Sequence, residues 1–178
     1  MPCGNAQNAR FFPGPEAIRW LATPLLSPGG MASFKRFLVG VDFEPPSLAA
    51  LDWAIDLASQ VGATITVLHT YEIPVVGIPD GAFIASAEYA SKLMTAADVA
   101  LAAAIGPRQG RGVELNRLMR QGVAWETIHE AADEVDADLI VVGTHGRKGI
   151  SHALLGSVAE KTIRTARRPV VVVRSTAH

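Results

Sequence analysis

Glycines and a serine at fixed spacing are the residues of this chain best suited to chemistry. They form the series Gly143-x2-Gly146-x9-Gly156-Ser157, which follows a strand-like apolar segment and leads into an expected helix. Glycine lets the backbone turn at positive φ and approach a ligand closely, and the first N–H groups of a helix can point at an anion. The spacing therefore favours a phosphate-binding loop for a nucleotide. The alternative is a tight strand-to-helix connection whose glycines serve only turns and close packing.

The polar residues of this segment each have two plausible roles. Ser157 could donate to a phosphate oxygen, act as the N-cap of the following helix, or do both. Arg147 and Lys148 could neutralise a polyphosphate or simply be solvated. His145 and His152 do not make a convincing metal site, because no cysteine or clustered carboxylate accompanies them.

Two further candidates end predicted strands. Asp42 closes the apolar run that begins at Phe37, where a carboxylate could accept from a base amino group, bind a ribose hydroxyl or hold a cation through water. Its alternative role is to cap the loop that contains Pro45 and Pro46. His69 ends the next strand, and we expect it to be a structural group and not a catalytic base or a ligand.

The segments around these residues alternate between strand and helix patterns. Strands are predicted over residues 37–42, 64–69, 113–119, 139–142 and 170–173, and helices over residues 48–61, 85–105, 125–135 and 157–165. Ser47 is expected to cap the first helix, and residues 71–83, rich in proline and glycine, are expected to form a loop that could act as a lid. The alternation predicts an α/β fold: a five-stranded parallel doubly wound sheet that is Rossmann-like. Its ligand should lie beyond the carboxyl ends of the strands.

Composition narrows the classes of partner and compartment. The 178 residues include 16 basic and 17 acidic side chains, for a formal net charge of -1, which gives no case for nucleic acid or an anionic membrane as general partners. Cys3 is the only cysteine, so an intramolecular disulfide is excluded and a reducing compartment fits. The longest apolar runs are shorter than the roughly 20 residues of a membrane-spanning helix. We expect a cytoplasmic protein.

Residues 1–30 differ in amino-acid composition from the rest of the chain. They contain five of the 11 prolines, which interrupt every stretch that could form the apolar core of a signal peptide. We expect a loose N-terminal arm followed by a single domain over residues 31–178. Met31 precedes the first regular pattern and is an alternative start, in which case the arm would not be native.

Residues 34–174 resemble the universal stress protein family, specifically its ATP-binding branch. The resemblance is carried by the Asp that ends the first strand, by Leu68-His69-Thr70, by Val142-Gly143-Thr-His-Gly-Arg147, by Leu155-Gly156-Ser157 and by Arg168-Pro-Val-Val-Val-Val173. It implies an adenine nucleotide alpha hydrolase-like fold and a role in survival under stress. It also implies a homodimer formed through the last strand, Val170 to Val173.

The same resemblance implies roles for individual residues. Asp42 and the Thr70 backbone would meet adenine, Val142 and Gly143 the adenosine side, and Gly146, Gly156, Ser157 and Val158 the phosphates of ATP, with Mg²⁺ accompanying the triphosphate. Thr70 departs from the family pattern, in which an apolar residue is common, so the choice of ATP over another nucleotide is less firmly implied than phosphate binding.

Three functions remain open from the sequence. The first is a nucleotide-dependent regulatory module with at most slow hydrolysis, favoured because the chain lacks a GxxxxGK[ST] loop and an evident group to orient water. The second is a genuine ATP hydrolase or nucleotidyl transferase, although Val41-Asp42-Phe43-Glu44-Pro45 stands where transferases of this architecture carry a glycine- and serine-rich loop. The third is a dimeric interaction protein with nucleotide as a structural ligand only.

Overall fold

A computed structural model of the chain describes residues 34–73, 75–78, 81–84, 87–144 and 155–174. Residues Phe34–His178 form one compact unit. The predictions about an arm over residues 1–30 and a start at Met31 lie outside the described residues and stay predictions.

Strands and helices alternate along this unit. The elements in chain order are β1 (Arg36–Gly40), α1 (Pro45–Val61), β2 (Thr64–Tyr71), β3 (Val75–Ile78), β4 (Gly81–Ile84), α2 (Ala87–Ile105), a 3₁₀ turn (Gly106–Arg108), β5 (Leu115–Gln121), α3 (Ala124–Glu134), β6 (Leu139–Gly143), α4 (Ser157–Thr165) and β7 (Val170–Val173). The predicted bounds of the last helix and last strand are confirmed.

Five of the strands form one parallel sheet in the order β5-β2-β1-β6-β7. β1 is central: Phe37 pairs with Ile65 on one side and with Leu139 on the other. Parallel strands need crossover connections, and the helices supply them. The predicted five-stranded parallel α/β sheet is therefore confirmed.

Two apolar cores cover the two faces of this sheet. Alternate residues of β1 point to opposite faces, so Phe37 and Val39 pack with α1 and α2 whereas Leu38 packs with α3 and α4. All three side chains are almost fully buried. Burial on both faces explains why the strands are continuous apolar runs in the sequence.

The predicted loop over residues 71–83 was wrong in part. β2 continues to Tyr71, and β3 and β4 pair as an antiparallel hairpin with Val75 opposite Ile84. Gly77 lies within β3 and Gly81 begins β4, so glycines that suggested a loop belong to short strands. Movement of this segment as a lid stays a prediction.

The start and end of α1 follow local rules. Pro45 and Pro46 occupy the first turn, where a missing N–H leaves no helical hydrogen bond unmade. The helix ends at Gly62, which adopts the left-handed conformation at φ 65° and donates its N–H to the carbonyl of Ala58. No helix among the described residues is both long and apolar enough to cross a bilayer.

Candidate functional site

A cleft opens at the carboxyl edge of the sheet, between the ends of β1 and β6. In the strand order, β2 and β5 lie on one side of this pair and β7 on the other, so the chain reverses its direction of winding here. Open α/β sheets bind ligands at such a switch point. Seven residues that the sequence singled out line the cleft: Asp42, Thr70, Val142, Gly143, Gly156, Ser157 and Val158.

The other two predicted site residues, Gly146 and Arg147, lie outside the described residues, as do His145, Lys148 and His152. Their assignment to phosphate binding stays a prediction. The described part of the site is therefore built from the loop after β1, the ends of β2 and β6, and the starts of α3 and α4.

Asp42 lies two residues beyond β1 and is fixed by its own loop. Its Oδ1 accepts a hydrogen bond from the N–H of Glu44 at 3.1 Å, and its N–H donates to Oγ of Ser47 at 3.2 Å. Asp42 therefore caps the loop before Pro45, as the alternative role predicted, and it also lines the cleft; its role as a ligand stays a prediction. Among the described residues, its Oδ2 has no hydrogen-bond partner.

Ser47 does not cap α1 as expected. The N-cap is Glu44, and Ser47 is the buried third residue of the helix, where its hydroxyl donates to the carbonyl of Glu44 at 3.0 Å. The hydroxyl also accepts from Asp42, so it ties the loop after β1 to the first turn of α1. The misassignment arose because proline fills the first two helical positions and moves the helix start upstream of the serine.

Gly143 is required by close packing and not by an unusual backbone angle. It is absent from the residues with positive φ, so the close-packing alternative weighed in the sequence applies to it and a left-handed turn does not. A Cβ at this position would lie 2.8 Å from the carbonyl carbon and oxygen of Pro46 and 2.9 Å from the nitrogen of Ser47. Only a residue without a side chain lets the end of β6 approach the start of α1 this closely.

The start of α4 presents backbone N–H groups to the cleft. Gly156 is its N-cap, with φ -62° and ψ 149°, and its carbonyl accepts the N–H of Glu160 at 2.9 Å. The N–H groups of Ser157, Val158 and Ala159 precede that first helical bond and so have no acceptor within the helix. The prediction that Ser157 is the N-cap was wrong by one residue, and Gly156 does not need positive φ.

A hydrogen bond joins the two ends of the glycine segment. The N–H of Gly156 donates to the carbonyl of Thr144 at 2.6 Å, and the N–H of Thr144 donates to the carbonyl of Val173 at 3.0 Å. The start of α4 is therefore anchored to the ends of β6 and β7. This anchoring places the α4 N-terminus beside the cleft.

Sequence reasoning missed several lining residues because none of them is chemically distinctive. Gly40, Leu68, Ala124, Ile128 and Thr144 all line the cleft. Ala124 begins α3 directly after β5, so its position at the carboxyl edge could have been found from the strand–helix alternation. Ile128 is one turn further along the same helix, and its side chain is nearly fully buried.

His69 behaves as the structural group that the sequence predicted. Its ring is 5% exposed, and its Nδ1 lies 2.8 Å from the carbonyl oxygen of Val41. A carbonyl can only accept, so Nδ1 carries the hydrogen. His69 is not among the residues that line the cleft.

Charge in the cleft is sparse. Asp42 is the one titratable side chain among the described lining residues, and the remainder of the lining is aliphatic, hydroxyl or glycine. The N-termini of α3 and α4, at Ala124 and Ser157, both reach the lining and contribute partial positive charge. Within the described part of the chain, no group of three or more His, Cys, Asp or Glu residues is placed to hold a metal ion.

Comparison with known proteins gives one consistent family. The model of the universal stress protein family matches residues 33–174. Universal stress protein MJ0531 of Methanocaldococcus jannaschii is 32% identical over 161 residues, which cover 89% of this chain and 92% of that protein. The chain also matches longer mycobacterial universal stress proteins, such as Rv2005c of Mycobacterium tuberculosis at 33% identity, and spans 44% of their length.

Solved structures agree on the fold. That of MJ0577, also from Methanocaldococcus jannaschii, superposes with a TM-score of 0.68 at 21% identity and covers 82% of this chain and 99% of its own. A universal stress protein solved in complex with cAMP has a TM-score of 0.60 at 25% identity, covering 80% and 98% respectively. With the family model spanning most of the sequence and the sheet order and cleft as described, this chain belongs to the universal stress protein family.

Proposed function

We propose that this protein binds ATP in the cleft between β1 and β6 and acts as a nucleotide-dependent regulatory or stress-survival module. The observation that carries the proposal is the meeting of two kinds of group at one cleft: the α4 N-terminus at Gly156, Ser157 and Val158, and the carboxylate of Asp42. A relative solved with cAMP supports an adenine nucleotide as the class of ligand.

The α4 N-terminus suits the phosphates. The N–H groups of Ser157, Val158 and Ala159, which have no acceptor within the helix, point along its axis toward its start, where the helix dipole favours negative charge. Backbone donors of this kind bind phosphate without a cationic side chain. Ser157 is the first residue of α4 and lines the cleft, so its hydroxyl is a candidate further donor for a phosphate oxygen.

The Asp42 side of the cleft suits the nucleoside. One carboxylate oxygen is held by Glu44, and the other could accept from the adenine amino group or a ribose hydroxyl. Leu68, Ile128 and Val142 supply aliphatic surface in the same cleft, as nucleotide pockets commonly do. Mg²⁺ would be coordinated mainly by phosphate and water, since Asp42 is the one carboxylate among the described lining residues.

We infer that the protein binds ATP without rapid turnover. The described lining offers one carboxylate and no histidine, lysine or arginine, so it supplies few groups to orient water or stabilise a leaving phosphate. We expect hydrolysis slower than about 1 per second, the low end of usual enzyme rates. A faster steady-state rate would favour the alternative of an ATP hydrolase or nucleotidyl transferase.

Two glycine substitutions test the proposed phosphate site. Gly156→Leu places a branched side chain at the α4 start, and we expect it to abolish saturable ATP binding while the domain stays folded. Gly106→Leu is the matched control, because a Cβ there has no neighbour within 4 Å and the site is remote from the cleft lining. Isothermal titration with ATP and Mg²⁺ measures both variants. Wild-type affinity in Gly156→Leu would assign the glycine segment to packing alone.

We further propose a homodimer formed through β7. This strand ends the sheet order, so its outer edge has no partner within the described chain. The carbonyls of Pro169 and Val173 accept hydrogen bonds on the side of β6. Alternate residues of a strand direct their backbone groups to opposite edges, so the N–H and C=O groups of Val170 and Val172 face the open edge. Unpaired edges of this kind invite pairing with a second chain.

A further inference from the structure

Phe43, the residue after Asp42, adopts a backbone conformation that bulky residues rarely take. Its φ is 69°, in the left-handed region. That region costs roughly 1–2 kcal/mol for a residue with a Cβ. Such strain persists only where the surroundings hold it, and it concentrates at ligand sites.

The ring of His69 contacts Phe43 and so can offset part of this strain. The two ring centroids lie 4.2 Å apart with the planes inclined by 32°. Through its Nδ1, the same His69 donates to the carbonyl of Val41. His69 therefore holds both neighbours of Asp42 in the chain: Val41 by a hydrogen bond and Phe43 by ring contact.

The left-handed turn at Phe43 also restricts the orientation of the Asp42 carboxylate. It brings the N–H of Glu44 back to Oδ1 of Asp42 at 3.1 Å, which restricts the rotation of that side chain. Neither Phe43 nor His69 lines the cleft, so neither is placed to touch a ligand there. Any effect of the two rings on binding must pass through the residues that they hold.

We propose that Phe43 and His69 are positioning residues that fix the Asp42 carboxylate for the nucleoside part of a bound nucleotide. The inference rests on the proposed function, because it assigns the selectivity of the same cleft. A fixed carboxylate loses less conformational freedom when it accepts a hydrogen bond from the ligand. The rings thereby raise affinity without contacting the nucleotide.

A double-mutant cycle with Asp42 tests this proposal. Phe43→Gly removes the ring while glycine adopts φ 69° without strain, so the fold should be kept. We expect it to weaken ATP binding about five- to tenfold, a fraction of the energy of a hydrogen bond to a charged group. In an Asp42→Asn background the same change should alter the dissociation constant by less than about twofold, because coupled residues are not additive. Phe43→Tyr keeps the ring and should bind as the wild type does.

The outcomes separate this inference from the proposed function. Wild-type affinity in Phe43→Gly, or an equal loss with and without the Asp42 carboxylate, would overturn the positioning role alone. Absence of saturable ATP binding in the wild-type protein would overturn the proposed function and the positioning role together. Titrating GTP in parallel shows whether Phe43→Gly reduces the preference for adenine, which the proposal requires if Asp42 accepts from the base and not from the ribose.

Discussion

Substitution of Gly143 by alanine is a direct test of the packing between β6 and α1. The added methyl group would lie 2.8 Å from the carbonyl carbon and oxygen of Pro46, whereas ordinary contact begins at 3.4 Å. Strand and helix would have to separate by about 0.6 Å, the difference between these distances. The neighbouring atoms are backbone, so no flexible side chain can yield.

Two opposing energies decide the size of this effect. Overpacking of this kind costs typically about 1–3 kcal/mol. Replacing glycine by alanine also stabilises, by about 0.4–1 kcal/mol, because the unfolded chain loses freedom. The packing cost is the larger over most of these ranges, which leaves a net loss of up to about 2.6 kcal/mol. At about 2–4 °C per kcal/mol for a domain of this size, the melting temperature should fall by up to about 10 °C.

Thermal unfolding followed by circular dichroism measures this loss. Gly106→Ala is the control for a methyl group added to open space, because its Cβ meets nothing within 4 Å apart from its chain neighbours, one of which is Pro107. Gly143→Ala should also weaken ATP binding, since displacement of Ser47 disturbs its bond to Asp42. A melting temperature for Gly143→Ala at or above that of Gly106→Ala would refute the close approach of β6 and α1.

Two other predictions concern pH and assembly. Burial lowers the pKa of His129 from 6.5; the Asp133 carboxylate opposes this shift and Arg167 adds to it. Below pH 6.5 the unfolded chain therefore binds more protons than the folded chain. The stability of the fold falls as the pH drops through that window. His129→Gln should therefore lose less melting temperature than the wild type between about pH 7.5 and pH 5, and equal losses would contradict this linkage. For assembly, sedimentation at micromolar concentration should show a dimer that Val172→Pro converts to a folded monomer, because proline removes an N–H from the open edge of β7. A monomeric wild-type protein, or a dimer that survives the substitution, would exclude this interface.

The architecture could be predicted from the sequence because its signals are local and repeated. The continuous apolar runs around Val39, Val67 and Val141 are typical of strands buried on both faces, and the helical segments between them require parallel pairing. The hairpin of β3 and β4 was missed because its strands are four residues each and contain or adjoin glycine. Short strands give too few positions for a period of two to show.

The site residues were predicted in part, and what the prediction missed depends on contacts between residues distant in sequence. Asp42, Thr70 and Gly143 were placed at the cleft because they end predicted strands, and Ser157 because it opens the last helix. Positive φ does not apply to Gly143 or Gly156, whereas the close-packing alternative holds for Gly143, and phosphate binding by this segment stays a prediction. The contact of Gly143 with Pro46 joins residues distant in sequence, and no local pattern reveals such a contact.

The strain at Phe43 lies outside what a sequence pattern can show. A phenylalanine after Asp42 predicts nothing unusual by itself, and the left-handed angle becomes visible only in three dimensions. The hydrogen bond from His69 to Val41 and its ring contact with Phe43 likewise depend on the pairing of β1 with β2. Tertiary structure therefore supplies the arrangement around the carboxylate, whereas the sequence supplies the carboxylate.

The most direct test of ATP binding is to purify the wild-type protein without added nucleotide, denature it, and identify the released small molecules by mass spectrometry. In parallel, the nucleotide-free protein is titrated with ATP and Mg²⁺. We expect an adenine nucleotide in stoichiometric amount, or saturable ATP binding with one site per chain. No released nucleotide together with no saturable binding would contradict it and would reduce the cleft between β1 and β6 to a structural feature of the fold.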